Sequence, residues 1–180
     1  MTRKADLRRH WISIRNAISP ERRKQAADAL CLFFKEQFAR PNRQGLVLSF
    51  SSFGSEIDTH PLNQWLAEKK RLLLPRVENK EIGVYQVNDL KTDLAISKLK
   101  MLEPNPLRCP QVGLESIQII LVPGLAFDMD SHRLGYGQGH YDRLLIQTAC
   151  PSTGIAFHEQ KTDALPIDAW DVPLDQVLYF

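Results

Sequence analysis

The chain has 180 residues, of which 43% are hydrophobic and 24% charged, with a net charge of +2. It is long enough to bury a substantial core, and we expect one domain over residues 1–180. No apolar run approaches the ~18 residues of a membrane span, and the charged N-terminus lacks the apolar segment of a secretory signal. The three cysteines are widely spaced and form no CxxC pair, which argues against a disulfide framework or a zinc site and favours the cytoplasm.

The N-terminal segment predicts two helices with an excess of positive charge. Apolar residues recur at spacings of four, three and four from Leu7 to Ile18, the stripe of an amphipathic helix. Ser19-Pro20 is a typical helix start, and Pro41-Asn42 should end the second helix. Eight of the first 24 residues are basic and two are acidic. Such a segment suits nucleic acid, a membrane surface or a phosphate ligand.

The rest of the chain alternates predicted strands and helices. Helices should open at Thr59-His60-Pro61 and after Gly139. Strands are predicted at 45–50, 71–77, 82–87, 117–122, 153–157 and 176–180. This alternation predicts an α/β fold with a mainly parallel sheet covered by helices, in which ligands lie beyond the C-terminal ends of the strands.

The most informative segment runs from Arg133 to Arg143, with the sequence RLGYGQGHYDR. Three alternating glycines let backbone N–H groups turn toward an anion. The loop should lie at the start of a helix, where the helix dipole also favours phosphate. Arg133 adds a positive charge, and the Asp142 carboxylate is a candidate magnesium ligand. The pattern predicts a phosphate-binding loop, although a plain surface loop also uses glycine.

This loop differs from the common nucleotide-binding motifs. It lacks the GK[ST] ending of a P-loop, and its glycines follow G-x-G-x-G, not G-x-G-x-x-G. We expect no strand directly before it, because residues 123–134 separate Gly135 from the predicted strand 117–122. A dinucleotide-binding Rossmann site is therefore disfavoured.

Several motifs in order along the chain resemble the 5-formyltetrahydrofolate cyclo-ligase family, also called methenyltetrahydrofolate synthetases. The matching segments are Lys4-Ala5-Asp6-Leu7-Arg8, Glu56-Ile57-Asp58-Thr59, Leu74-Pro75-Arg76, Glu103-Pro104, the VPGLAFD run at 122–128, the Arg133–Asp142 signature and the DVPLDQV run at 171–177. The resemblance covers essentially the full length.

The resemblance implies a three-layer α/β fold shared with ribose-5-phosphate isomerase and CoA transferases. It also implies ATP- and Mg²⁺-dependent conversion of 5-formyltetrahydrofolate, with or without a polyglutamate tail, to 5,10-methenyltetrahydrofolate, ADP and phosphate. The γ-phosphoryl group would move to the formyl oxygen before ring closure. The protein is expected to be a cytoplasmic monomer that binds neither nucleic acid nor membrane.

The same resemblance implies roles for particular residues. Arg133 and Tyr141 would be catalytic, and Asp142 and Asp171 would bind Mg²⁺. The folate site would contain Ser51, Glu56, Tyr136, Gly137, Gln138, Gly139 and His140. The ATP site would contain Lys4, Ala5, Asp6, Leu7, Arg8, Arg133, Leu134, Gly135, Tyr136, Gly137, Gln138, Gly139, His140 and Tyr141.

Two positions depart from the family pattern. His140 stands where many members carry Tyr or Phe, which opens a question about the pH dependence of folate binding. Trp170 replaces the polar residue that commonly precedes Asp171, which weakens the assignment of Asp171 as a metal ligand.

Two other functions remain open from the residues alone. A non-catalytic nucleotide- or RNA-binding module would use the basic N-terminal segment, but no RNA-binding motif appears. A sugar-phosphate isomerase or CoA transferase would follow from the fold alone, which does not determine function.

Overall fold

In a computed structural model, residues 3–40, 45–97 and 101–180 are described. The helices are α1 (Lys4–Ala17), α2 (Pro20–Phe38), α3 (His60–Glu68) and α4 (His140–Ile146). The strands are β1 (Leu46–Leu48), β2 (Leu72–Glu78), β3 (Glu81–Gln86), β4 (Leu94–Ile96), β5 (Leu102–Pro104), β6 (Ile117–Val122), β7 (Ala126–Phe127), β8 (Arg133–Leu134), β9 (Ser152–Ala156) and β10 (Gln176–Tyr179).

Six strands form the central sheet in the order β10-β9-β6-β1-β2-β3. All neighbours pair in parallel except β2 and β3. That pair is a hairpin, whose turn at Asn79-Lys80 takes positive φ angles of 49° and 72°. The prediction of a mainly parallel sheet is therefore confirmed.

The two faces of the sheet pack against different helices, which gives three layers. Alternate residues of β2 point to opposite faces: Leu72 and Leu74 join the cluster that contains α2 and α3, whereas Leu73 joins the cluster that contains α4. This alternation is the period-two geometry of a strand buried on both sides. It explains why the central strands are almost continuously apolar in sequence.

Helix boundaries follow the predicted signals with small differences. The Ser19 hydroxyl accepts a hydrogen bond from the Arg22 amide at 3.2 Å, so α2 is capped as expected. Thr59 precedes α3, but its hydroxyl donates to the Phe50 carbonyl at 2.6 Å and makes no cap. The predicted end of α2 at Pro41-Asn42 lies outside the described residues.

Two small antiparallel pairs, β4–β5 and β7–β8, were not predicted. The second pair corrects an expectation, because β8 (Arg133–Leu134) ends immediately before Gly135. The glycine loop therefore does follow a strand directly. Strands of two residues are too short to produce a recognisable hydrophobic alternation.

No helix in the described ranges combines the length and the apolar character needed to cross a membrane.

Candidate active site

A cavity of about 600 Å³ opens beyond the C-terminal ends of the central strands. Phe50 and Ser51, which follow β1, line it together with Pro123, which follows β6. The N-terminal turns of α1 and the glycine loop complete its walls. This position is the one expected for a ligand site in a parallel α/β sheet.

The glycine loop is held against the start of α1. Arg8 Nε donates to the Gly135 carbonyl at 2.9 Å. Gly137 has φ of 97°, and a Cβ atom there would lie 2.9 Å from Arg8 Cζ. Gly139 begins α4 in the left-handed conformation with φ of 65°. The backbone conformation at 137 favours glycine, and the absence of a side chain leaves room for the Arg8 guanidinium.

Two cations beside the glycine loop are paired with the two carboxylates predicted to bind metal. Arg133 Nη2 lies 3.0 Å from Asp142 Oδ2, and these side chains are only 8% and 17% exposed. Lys4 Nζ lies 2.6 Å from both Asp171 Oδ2 and Asp168 Oδ2. The Nε of Arg133 is buried and has no hydrogen-bond partner within the described residues. A donor of that kind suits an anionic ligand.

The Lys4 ion pair affects the protonation of both partners. Burial alone would raise the pKa of Asp171, but hydrogen bonds from Lys4 and the Asp168 amide hold it below its usual value. Burial alone would lower the pKa of Lys4, and the two aspartates raise it overall. Both groups are therefore charged at neutral pH.

The cavity can be divided into two halves, one around the glycine loop with Lys4 and Arg133, and one around Glu56. The environment of Glu56 is different. Its Oε2 accepts from the Phe53 amide at 2.9 Å, and its Oε1 lies 3.8 Å from Arg15 Nη1. Burial raises the pKa of Glu56, although the Phe53 amide, the Arg15 charge and a hydrogen bond with Tyr136 each lower it. The result is a buried carboxylate with a raised pKa, facing a cavity rich in apolar groups.

Tyr141 lies beside both halves. Burial and the nearby charge of Glu56 raise the pKa of its hydroxyl, although Arg133, 5.6 Å from the ring centroid, opposes this. The phenol is therefore protonated at neutral pH and available as a hydrogen-bond donor.

The chain matches the model of the 5-formyltetrahydrofolate cyclo-ligase family over residues 1–180. It is 33% identical over 139 residues to the 5-formyltetrahydrofolate cyclo-ligase of Escherichia coli K12, a match that covers 73% of this chain and 76% of the relative. The chain belongs to the 5-formyltetrahydrofolate cyclo-ligase family. The Haemophilus influenzae cyclo-ligase is 30% identical over 140 residues, with 73% of this chain and 74% of the relative covered.

Solved structures agree with this membership. The 5,10-methenyltetrahydrofolate synthetase of Aquifex aeolicus superposes with a TM-score of 0.82 at 32% identity, covering 97% of this chain and 88% of that one. The synthetase of Mycoplasma pneumoniae has a TM-score of 0.71 at 24% identity, covering 98% of each chain. The second likeness concerns the fold alone.

Most of the residues that the cyclo-ligase motifs nominate line this one cavity. They are Lys4, Arg8, Ser51, Glu56, Arg133, Leu134, Gly135, Tyr136, Gly137, Gln138, Gly139, His140, Tyr141, Asp142 and Asp171. Ala5, Asp6 and Leu7 do not line it: Asp6 pairs with Arg9 on the outer side of α1, and Leu7 packs near Trp11. Residues four apart on a helix share a face, which explains why Lys4 and Arg8 both face the cavity.

His140 is tied to the β2–β3 hairpin. Its Nδ1 lies 2.9 Å from the Lys80 carbonyl and 3.0 Å from Arg143 Nη2. These contacts join the hairpin turn to the start of α4. They give His140 a local structural partner in addition to its place in the cavity wall.

Sequence reasoning missed part of the lining and one residue behind it. The missed lining residues are Phe50, Phe53, Pro75, Val77, Ile82, Met101, Leu102, Glu103, Pro123, Asp168 and Trp170. Pro75, Glu103 and Pro123 belong to quoted family motifs, so a signal for them was present. Arg15 lies behind the cavity wall; its position seven residues after Arg8, about two helical turns, was the available signal.

No group of three or more His, Cys, Asp or Glu side chains suited to a metal ion occurs within residues 3–40, 45–97 and 101–180. Asp142 and Asp171 are thus placed as two separate carboxylates, each beside a cation.

Proposed function

We propose that this chain converts 5-formyltetrahydrofolate and ATP to 5,10-methenyltetrahydrofolate, ADP and phosphate. The observation that supports this best is one cavity with two chemically different halves. One half is a glycine loop with Lys4, Arg8 and Arg133, and the other holds the buried carboxylate of Glu56. Family membership supports the same reaction.

The Glu56 half suits the pterin ring of the folate. A carboxylate accepts hydrogen bonds from adjacent N–H donors such as the amino and ring N–H groups of a pterin. Phe53 and Tyr136 are 47% and 48% exposed at this half, so flat aromatic surfaces are available for a planar ring. We infer that Ser51, also in the lining, contacts the same ligand.

The glycine-loop half suits the triphosphate. Lys4, Arg8 and Arg133 provide three positive charges around backbone that carries no side chains at 135, 137 and 139. Since Lys4 and Arg133 are already paired with carboxylates, we infer that phosphate oxygens replace those carboxylates when the nucleotide binds. The unpartnered Arg133 Nε then gains an acceptor.

The same exchange fits magnesium. Asp142 and Asp171 line the cavity beside those cations, and release from Lys4 and Arg133 leaves two carboxylates free. Magnesium is usually bound by one or two carboxylates together with substrate phosphates and waters, so two such groups suffice for a metal that arrives with the nucleotide. Magnesium held by Asp142 and Asp171 would supply positive charge to offset the phosphates.

The proposed reaction has two steps, phosphoryl transfer and ring closure. An oxygen lone pair of the formyl group attacks the γ-phosphorus, and the bond from that phosphorus to the bridging oxygen breaks to release ADP. The neighbouring amine nitrogen of the folate then attacks the formyl carbon, the carbon–oxygen bond breaks to release phosphate, and the amine proton leaves with the departing phosphate. The product is the cyclic methenyl cation.

Arg133 and Tyr141 are the proposed catalytic groups. Arg133 stabilises negative charge on the transferring phosphoryl group, which is the main demand of phosphoryl transfer. The protonated Tyr141 hydroxyl donates a hydrogen bond at the same place. Each charge-assisted hydrogen bond contributes about 1.5–3 kcal/mol.

We also propose a single cytoplasmic domain over residues 1–180 that acts as a monomer and accepts folates with or without a polyglutamate tail. An Arabidopsis thaliana relative is named as mitochondrial. The basic N-terminal segment gives little support to the RNA-binding alternative. No RNA-binding motif accompanies it in the sequence, and two of its basic residues, Arg8 and Arg15, line the cavity or are buried behind it.

The test is the near-ultraviolet absorbance of the conjugated methenyl product after mixing protein, 5-formyltetrahydrofolate, Mg²⁺ and ATP. We expect an absorbance increase that requires ATP and matches the phosphate released one to one. A flat trace from folded protein that still binds ATP would overturn the proposal and favour a nucleotide-binding module.

A further inference from the structure

A buried arginine lies directly behind the Glu56 half of the cavity. Arg15, on α1, is 2% exposed and is not part of the cavity lining. A guanidinium group removed from water is costly unless its donors are satisfied. Its surroundings therefore indicate what the residue does.

Arg15 contacts three segments that are distant in sequence. Its Nε donates to Ser55 Oγ at 3.0 Å, and its Nη1 donates to the Gly124 carbonyl at 3.2 Å. Its Nη2 donates to the Tyr136 hydroxyl, and its Nη1 lies 3.8 Å from Glu56 Oε1. The planar guanidinium thus joins the segment before α3, the end of β6 and the glycine loop.

We propose that Arg15 is a positioning residue for folate recognition: it holds the Glu56 carboxylate and the Tyr136 hydroxyl in one fixed arrangement. This proposal rests on the function proposed above, in which Glu56 accepts hydrogen bonds from the pterin. Arg15 does not touch the ligand itself, because the wall formed by Glu56 and Tyr136 lies between them.

The contacts explain why a guanidinium is needed at this position. Tyr136 is half exposed on a glycine-rich loop, and its bond to Arg15 is a direct link between its hydroxyl and the buried interior. Both Arg15 and the Tyr136 hydroxyl lower the pKa of Glu56 against the effect of burial, so the three side chains act on one another. A lysine at 15 would keep the positive charge but lacks the planar fork that reaches several acceptors together.

Removing the charge of Arg15 should also alter the titration of Glu56. Arg15, Tyr136 and Tyr141 are the charged or titratable groups that act on this carboxylate. Arg15 favours the ionised form of Glu56, which opposes the effect of burial. Without that charge, Glu56 should take up its proton at a higher pH, and folate binding should weaken at a correspondingly higher pH.

The experiment measures dissociation constants by calorimetry over a pH series, for 5-formyltetrahydrofolate without nucleotide and for Mg-ADP without folate. Arg15→Gln should weaken folate binding by roughly 10- to 100-fold and move its pH midpoint upward. Arg15→Lys should weaken folate binding less and leave the midpoint unchanged. Mg-ADP affinity should stay within about twofold in both variants, since Arg15 reaches the glycine loop through the Tyr136 hydroxyl and not through Lys4, Arg8 or Arg133, the cations proposed to hold the phosphates.

Tyr136→Phe supplies a second route that does not depend on a buried charge. It removes only the hydroxyl, and in combination with Arg15→Lys the two losses should be non-additive because the residues share one bond. Arg22→Gln is the matched control, since Arg22 pairs with Glu159 at 3.1 Å and neither residue lines the cavity; it should change neither ligand's affinity.

Unchanged folate affinity in Arg15→Lys and Arg15→Gln, or equal losses for folate and Mg-ADP, would overturn the positioning role while leaving the cyclo-ligase function intact. If Arg15→Gln fails to fold, the double-mutant cycle of Arg15→Lys and Tyr136→Phe decides. Strictly additive losses of folate affinity in that cycle would also overturn the positioning role. Absence of folate binding in the wild-type protein would overturn both proposals.

Discussion

The two halves of the cavity reach charge balance in opposite ways. Around Glu56, the side chains of the carboxylate and its partner Arg15 are 8% and 3% exposed, and Arg15 also donates to the Tyr136 hydroxyl. Around the glycine loop, Arg133 and Asp142 form a largely buried pair at 8% and 17% exposure, whereas the Lys4 pairs reach the surface, where the Asp168 side chain is 42% exposed. We infer that the first half is formed before its ligand binds, whereas the second half has partners that a ligand can replace.

This difference indicates which kind of ligand each half of the cavity can recognise. A preformed carboxylate discriminates strongly, because a ligand that lacks the matching donors leaves it unpaired. Exchangeable ion pairs select for charge instead, and they link the binding of an anion to that of a cation. The first arrangement suits the fixed donors of a pterin, and the second suits a triphosphate that carries a metal.

The largest effect should come from Glu56→Gln, which breaks the folate half alone. It leaves Arg15 buried without its counter-charge and replaces an acceptor by an amide, so kcat/KM for folate should fall by roughly 100-fold or more. Isothermal titration should show Mg-ADP affinity within about twofold of wild type. Glu159→Gln, at a surface ion pair, is the matched control, and equal losses for both ligands would contradict the division into halves.

Asp142→Asn should affect the nucleotide half with opposite signs in two conditions. Without metal, ATP should bind more tightly than to wild type, because Arg133 no longer has to be released from a carboxylate. With Mg²⁺, ATP should bind roughly 10- to 100-fold more weakly, because a metal ligand is lost. Fluorescence titration with and without a chelator measures both, and weakening under both conditions would argue against partner exchange.

The pH dependence of folate binding should follow Glu56. Its pKa is raised by burial, so the carboxylate takes up a proton at a higher pH than usual as the solution is acidified. Binding to the ionised form should therefore weaken by about tenfold per pH unit below that pKa, and recover as the pH rises through it. Dissociation constants for 5-formyltetrahydrofolate across a pH series measure this, and Glu56→Gln should abolish the dependence.

The smallest effect should come from Gly137→Ala. A Cβ atom would meet Arg8 at 2.9 Å, and the φ of 97° disfavours any side chain. The backbone strain should cost about 1–3 kcal/mol, seen as a lower midpoint in thermal unfolding, and Mg-ADP affinity should drop with little change for folate. Gly54→Ala is a useful control for strain alone, since its φ is also positive but no atom lies within 4 Å of the added carbon.

The parts of this site that are contiguous in sequence were predictable. The run from Arg133 to Asp142 carries its own signals of glycine spacing and charge, and the continuous apolar run at 117–122 marked β6 with its observed bounds. Strand–helix alternation was enough for the mainly parallel sheet.

The remainder depends on tertiary contacts that no local pattern contains. Lys4 and Asp171 are 167 positions apart, so their ion pair appears only in the folded chain. The proposal that phosphate replaces the carboxylate partner of Lys4 depends on that ion pair. Arg15 looks like one more basic residue of a charged segment until folding buries it. The continuous motif at 4–8 also led to the prediction that Ala5 and Asp6 belong to the ATP site, although helical geometry turns them away from the cavity.

Phosphorylation of the formyl oxygen by ATP, on a folate held by Glu56, is the step on which the proposed function depends. It is tested most directly with 5-formyltetrahydrofolate labelled with oxygen-18 in the formyl group, followed by mass spectrometry of the phosphate released in a single turnover. The label should appear in phosphate, in step with ADP and methenyl product. Label released as water, with unlabelled phosphate, would contradict it.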